Sequence, residues 1–334
     1  MNPPWLTALL ALSLCSCSTY QPLKDKALYS GPTHAKPGEG VKVTYFGNTT
    51  VLISDGTTHL LVDGFFTRPG PLRTLLWTIK PDKRIIQEQL GIGEIKRLDA
   101  VLVGHSHYDH TLDSAVVAKE TGAVAVGPHA YEFIHRSAGQ DADQKGLIVV
   151  PCNGGSEKFG KFTVTFRRSA HVSPHTHVHH TVMGDIHTPV QPPTRFTSYQ
   201  CGEVFALHVE HPDGKIAVTT TAGASKGQFE GLKADVVMLG VGLLGKEPED
   251  AQARYWEETV GTLQPHTVIP VHWDSFTRKL RTDLRAPSLK LIDEVEKAMA
   301  VVQRYRSKNQ DIMVMNLRDS FRLRNGAIQP AVSR

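Results

Sequence analysis

The chain has 334 residues, 40% of them apolar, with 37 Lys and Arg against 33 Asp and Glu. That is enough apolar material for a large core. The net charge of +4 is not gathered into runs of one sign, so charge gives no reason to expect nucleic acid or an anionic membrane as a partner. Histidine is the unusual residue, at 17, and it is concentrated between His171 and His211.

Met1 to Tyr20 carries no charge, and Trp5 to Leu14 is an apolar run. It is shorter than the roughly 20 residues of a membrane span and has the length of a signal-peptide core. Leu14-Cys15-Ser16-Cys17 resembles the bacterial lipobox. Residues 1–16 are therefore expected to be a lipoprotein signal peptide and Cys17 the lipidated residue, a cleaved secretory peptide being the alternative. The expected location is the bacterial cell envelope, facing the periplasm, with the outer membrane favoured. Residues 17–40, rich in Pro, Gly, Ser and Lys, read as a flexible tether. Export would place Cys152 and Cys201 in an oxidising compartment, where they either pair or remain two separate thiols.

A single folded domain is expected over 41–334. Val41 to Tyr45, Thr50 to Ser54 and His59 to Val62 are short β-branched or apolar runs separated by Gly47-Asn48 and Asp55-Gly56, the pattern of an antiparallel meander. Leu98 to Val103 follows as a buried strand, then a helix from Leu112 to Thr121, a strand from Ala123 to Gly127 and a helix from Ala130 to Ser137. After a break the plan repeats. Strands are expected at Phe162 to Arg168, Val204 to Glu210, Lys215 to Thr220, Asp235 to Gly240 and Thr267 to Val271, and helices at Asp250 to Leu263 and Leu289 to Tyr305. Two sheets with helices on their outer faces satisfy this order, which predicts an α/β fold of four layers, α/β/β/α. His171 to Ser198 has four prolines and no period, as functional loops often do.

The densest chemistry lies in His105-Ser106-His107-Tyr108-Asp109-His110, just past a buried strand. Residues two apart in extended chain point the same way, so His105 and His107 can meet on one ion. Asp109 and His110 then turn into the next helix and can face a second ion. Three imidazoles and a carboxylate suit Zn2+, which takes nitrogen and oxygen ligands.

At these residues the chain resembles the metallo-β-lactamase superfamily, and more narrowly the branch of N-acyl-phosphatidylethanolamine phospholipase D and related bacterial lactonase-like zinc hydrolases. Tyr45 to Ile53 is similar to that branch's opening strand pair, Leu60-Leu61-Val62-Asp63 to its first Asp position, and Ser169-Ala170-His171 and Ile269 to Phe276 to its later ligand positions. The resemblance implies that His105, His107 and His171 hold one zinc and that Asp109, His110 and His272 hold a second. It also implies that Asp63 supports the ligand loop from behind.

One departure stands out. Family members usually carry a Gly-Asp-Thr-Gly type turn whose Asp bridges both metals, whereas this chain reads Thr219-Thr220-Thr221-Ala222-Gly223. Thr221 occupies the bridging position, and a neutral hydroxyl does not replace a carboxylate charge between two dications. A weakened second site, with one or two zinc ions, is the expectation.

The resemblance implies hydrolysis by hydroxide generated at the metal, with zinc lowering the pKa of water from about 15.7 towards 7. Asp109 is the candidate catalytic residue, handling the proton of that water or of the leaving group. The expected substrate is a small molecule or lipid, with a phosphodiester, phospholipid included, favoured. The alternatives are a lactone, or a non-catalytic zinc-binding lipoprotein. A β-lactam is disfavoured by the last-ligand region. A flavodiiron-type redox role is disfavoured because His107 stands where those proteins usually have Glu. In the histidine-rich loop most of His175, His177, His179, His180 and His187 are expected to be solvated, with one of them near the metal.

Overall fold

The computed structural model describes residues 20–29, 31, 33–137, 146–173, 177–287 and 293–333. Residues 1–16, expected to be a signal peptide, and Cys17 lie outside the described residues, as does His175.

Two sheets form the body. In one, strands lie in the order Ala327–Ile328, Ser320–Arg324, Val41–Tyr45, Val51–Ser54, His59–Val62, Ala100–Leu102, Val124–Gly127 and Leu147–Val149. The other runs Asp311–Ile312, Thr267–Val271, Val236–Gly240, Gly214–Val218, Val204–His211, Phe162–Ser169 and Gly155–Phe159. Each sheet is antiparallel at one end and parallel at the other. Hairpins join Val41–Tyr45 to Val51–Ser54 and Val51–Ser54 to His59–Val62. From His59–Val62 onward the pairings to Ala100–Leu102, Val124–Gly127 and Leu147–Val149 are parallel. The second sheet changes at Gly214–Val218, after which its pairings are parallel too. Parallel strands need crossovers, and helices such as Ser114–Thr121 and Glu249–Trp256 supply them.

The burial explains the composition of each strand. Ala100–Leu102, Val236–Gly240 and Thr267–Val271 are buried at every position, as strands covered on both faces must be. The edge strand Gly155–Phe159 has no fully buried residue. One hydrophobic core contains residues of both sheets, including Val62, Leu102, Leu207 and Met238. This is the four-layer α/β/β/α sandwich that the alternation of strands and helices predicts.

Several elements differ from expectation. The C-terminal strand Ser320–Arg324 pairs with Val41–Tyr45, which no local pattern announces. The helices Pro71–Leu76 and Lys83–Ile92 were not expected either. The tether reading of 17–40 does not describe the residues seen there. Leu28 is buried in the core, its carbonyl accepts from the Val314 N–H at 3.0 Å, and Thr33–His34 pairs with Val332–Ser333. Isolated apolar residues in a polar stretch were enough to seat it. Cys152 is exposed and Cys201 buried, and both are free thiols, with burial pushing that of Cys201 up to about 12.

Candidate metal centre

The candidate residues stand where strands of both sheets end, the usual position of sites in layered α/β folds. His105 follows Ala100–Leu102, His171 follows Phe162–Ser169, Thr220 and Thr221 follow Gly214–Val218, and His272 follows Thr267–Val271. Four chain segments distant in sequence therefore converge because both sheets point these ends to one rim.

His105 and His107 leave the strand as extended chain, and His107 then serves as the N-cap of a one-turn helix, Tyr108–Thr111. That turn swings Asp109 and His110 beside the two imidazoles. The ring centres of His105, His107 and His171 are 4.7–5.0 Å apart, and one ligand atom from each of the three lies within 4.8 Å of the others. Asp109, His110 and His272 form a second group by the same measure. His105 and His110 are neighbours at 4.0 Å between ring centres, so the two groups adjoin.

Four of the five rings are held from outside through one nitrogen. His105 Nδ1 is 3.1 Å from Thr220 Oγ1, His171 Nδ1 is 2.9 Å from the Val172 carbonyl, and His110 Nδ1 is 2.7 Å from Asp63 Oδ2. His107 uses the other nitrogen, with Nε2 3.1 Å from the Val182 carbonyl. These contacts fix tautomer and ring angle, and they leave Nε2 of His105, His110 and His171 and Nδ1 of His107 for the interior. His105 Nε2 is buried with no hydrogen-bond partner, a costly state that a cation would relieve. In the second group His272 Nε2 and His110 Nε2 lie 3.2 and 3.4 Å from Asp109 Oδ2.

The electrostatics suit a cation. Burial holds His105 and His171 well below the usual imidazole range and His107 down to about 4, with neighbouring imidazoles adding to the effect on His105 and His171. Neutral imidazoles are ligands as they stand. Burial also disfavours charge on His110, but the carboxylates of Asp109 and Asp63 outweigh it and raise its pKa. Asp109 would be raised by burial, yet His110 and His272 bring it well below the usual carboxylate range. The site therefore holds one anionic side chain among neutral or cationic rings.

Residues that sequence reasoning did not single out hold this frame. Asn48 Nδ2 donates to the Asp109 carbonyl at 2.6 Å, and the Asn48 carbonyl accepts from the His272 N–H at 2.7 Å. The Asn48 N–H donates in turn to Asp274 Oδ1 at 2.7 Å, and Asp274 is paired with buried Arg68 at 2.6 Å. Thr49 donates to Asp63. Asn48, Asp63, Arg68 and His272 all have positive φ, between 43° and 60°, a concentration of backbone strain that functional sites maintain. Asp113, just beyond the ligand helix, accepts from the N–H groups of Phe66 and Thr67 and the Thr67 hydroxyl at 2.5–2.7 Å. The signal available in sequence was the Gly47-Asn48 turn, which favours positive φ.

Thr221 is buried, and its hydroxyl accepts from the Val172 N–H at 3.2 Å. It braces the segment next to His171, and its own carbonyl accepts from Tyr255 Oη at 3.1 Å. Gly223 in the same turn lies against that segment so closely that a Cβ would sit 2.4 Å from the Ala170 carbonyl oxygen. Among the described residues no carboxylate joins the His105, His107 and His171 group. Of the histidine-rich loop, His179 approaches, 5.2 Å from His171 between ring centres, while His180 and His187 are exposed. The side chain of His177 lies outside the described residues. The loop is packed through Val182, Ile186 and Val190.

Comparison with known proteins is consistent with this architecture. The model of the metallo-β-lactamase superfamily matches residues 43–191. Igni18, a metallo hydrolase of Ignicoccus hospitalis, superposes with a TM-score of 0.50 at 18% identity, covering 84% of this chain and 97% of its own. The protein has the metallo-β-lactamase fold. Among the relatives is a protein of Christiangramia forsetii named UPF0173 metal-dependent hydrolase, 31% identical over 134 residues, or 40% of this chain and 50% of the relative. A protein of the same name from Anaeromyxobacter dehalogenans is 26% identical over 236 residues, or 70% and 75%. The chain thus spans half the length of the first relative and three quarters of the second.

Proposed function

We propose that this protein is a metal-dependent hydrolase, with zinc as the metal and a phosphodiester, above all a phospholipid, as the substrate. The observation that carries this reading is the pair of three-residue groups whose ligand atoms converge, with the outer nitrogens of His105, His107, His110 and His171 tied off. Imidazole nitrogen with a single carboxylate is a donor set that suits zinc. His105, His107 and His171 would hold the zinc, which when bound would supply a Lewis acid and lower the pKa of water from about 15.7 towards 7. Asp109 stays ionised beside His110 and His272, which supports a role in taking a proton from water and returning it to a leaving group. His272 Nε2, 3.2 Å from that carboxylate, orients it.

The relatives' shared name, metal-dependent hydrolase, supports the reaction class. Support for a phospholipid comes from the motifs that resemble the phospholipase branch and from the proposed anchor at Cys17, which would keep the domain at a membrane. A lactone is the second substrate class. Thr221 in place of a bridging carboxylate favours one tightly held ion over two.

The test is activity of chelated and zinc-reconstituted protein on bis(p-nitrophenyl) phosphate, a simple lactone and a β-lactam. The reading expects phosphodiester hydrolysis that vanishes on chelation and returns with zinc. Equal activity with and without metal would overturn it, and preferential lactone cleavage would overturn the substrate class.

A further inference from the structure

Among the described residues the exposed large apolar side chains are Leu72, Leu75, Leu76, Trp77 and Ile92, at 60%, 44%, 50%, 59% and 49% exposure. They fall within one short stretch of sequence, while the rest of the apolar residues fill the core. Four of the five belong to the helix Pro71–Leu76 and the residue that caps it.

This helix is held firmly while those side chains face outward. Its one buried residue is Thr74, whose hydroxyl donates to the Gly70 carbonyl at 3.1 Å. Arg195 donates to the Leu75 carbonyl at 3.1 Å, and Ile79 pairs with Thr194 just beyond. A fixed helix presenting three leucines and a tryptophan to water is unfavourable for a protein that meets only water. The surrounding charges have a direction too. Arg73, Lys80, Lys83 and Arg84 are exposed on the same stretch, with Lys83 loosely paired to Glu120 at 3.7 Å. The acids here are Asp82, occupied in capping the helix Lys83–Ile92, Glu88, and Glu120, which faces Lys83 and Gln87, while exposed Arg195 adds a further base. The chain as a whole is nearly neutral, but this corner is apolar with a basic rim.

We propose that the helix Pro71–Leu76, with Trp77, seats in the interface of an anionic lipid bilayer. Apolar residues with a tryptophan, ringed by Lys and Arg, suit the boundary between head groups and acyl chains, where the indole ring is at home. Cys17, the proposed lipid attachment, precedes Tyr20 by only three residues, a reach of about 10 Å at full extension. From Pro22 and Leu28 onward the chain has residues buried against the domain, so the domain would lie close against the membrane.

The patch also adjoins the metal centre. Tyr108, the neighbour of Asp109, lies beside Thr74. The Tyr108 ring is 6.1 Å from Phe276, which is 5.9 Å from His272. Docking this helix would bring lipid head groups to the side of the site. In that respect the inference extends the proposed phospholipid substrate, but the docking itself does not depend on hydrolysis.

The test uses the full chain carrying Cys17→Ser, which removes the acyl anchor. Its binding is measured on phosphatidylethanolamine–phosphatidylglycerol vesicles with brominated acyl chains, with Trp77 read as the difference between this protein and its Trp77→Phe form. The expected result is quenched Trp77 emission, with partition weakened about tenfold or more in Leu72→Ser/Leu76→Ser and in Arg73→Glu/Lys80→Glu. Activity on soluble bis(p-nitrophenyl) phosphate should be unchanged in both. Unquenched Trp77 in vesicle-bound protein would overturn the proposal. So would a concentration-dependent dimer that Leu72→Ser/Leu76→Ser dissolves, since a second copy would then cover the patch. Absence of docking by the Cys17→Ser protein itself, with its soluble activity intact, would fail this inference alone, whereas absent metal-dependent activity with Trp77 quenched would fail the proposed function alone.

Discussion

The main-chain N–H of His272 donates to the carbonyl of Asn48 at 2.7 Å, and the side-chain amide of the same Asn48 donates to the carbonyl of Asp109 at 2.6 Å. One residue of the first hairpin thus fixes two candidate ligands that come from different sheets. Asn48→Ala should loosen both, at a stability cost of about 1–3 kcal/mol for the buried acceptor left unpaired. Because Asn48 has φ of 53°, Asn48→Gly separates the lost amide from added backbone strain. Both variants should lose activity by about 10–100-fold, with Asn48→Gly keeping more stability. Denaturant unfolding and kcat/KM on a generic phosphodiester check this. Full activity in Asn48→Gly would show that the amide does not position the site.

Asp63 acts on His110 in the same indirect way, accepting at 2.7 Å from Nδ1. Asp63→Asn keeps the shape and removes the charge. The His110 pKa, raised by Asp63 and Asp109 against the effect of burial, should fall in metal-free protein. Metal affinity of the Asp109, His110 and His272 group should drop about 10–100-fold. Imidazole NMR titration and zinc competition measure the two effects.

Asp113 gives a pH signature separable from the metal. Burial raises its carboxyl to about 6 from 3.8, despite donors from Thr67 and Phe66. A folded-state pKa above the unfolded value means the folded state holds the proton more tightly. The associated stability is fully present below about pH 4 and is lost as pH rises through about 6, on the order of 3 kcal/mol for two units. In metal-free protein the stability of wild type relative to Asp113→Asn should therefore fall between pH 4 and 7. Urea unfolding across that range tests the sign, and a constant difference would contradict it.

The legible part of the fold was the part with a strong local period. Val41–Tyr45 and His59–Val62 appear where β-branched runs and turn residues put them, and the buried parallel strands match continuous apolar runs. What sequence did not disclose depends on partners far along the chain. Ser320–Arg324 becomes a strand because Val41–Tyr45 offers an open edge. Leu28 is drawn into the core from a stretch whose composition reads as tether. That His105, His107 and His171, and Asp109, His110 and His272, would come together was legible because His105 to His110 is dense and the later motifs keep their order. The residues behind them were not, since Asn48, Arg68 and Asp274 have no spacing rule to mark them. Their roles come from the way two sheets meet at one rim.

The central claim is that two unequal metal groups exist, the first complete in its imidazoles and the second lacking an anionic bridge at Thr221. The most direct measurement is zinc stoichiometry under limiting metal, taken with phosphodiester activity, on wild type, His107→Ala, His272→Ala and Thr221→Asp. The account predicts one tightly bound zinc in wild type, loss of that zinc and of activity in His107→Ala, and a smaller loss of metal in His272→Ala. It predicts a more tightly held second ion in Thr221→Asp. Two tight zincs in wild type with no change in Thr221→Asp would contradict the inequality, and undiminished zinc and activity in His107→Ala would contradict the metal centre itself.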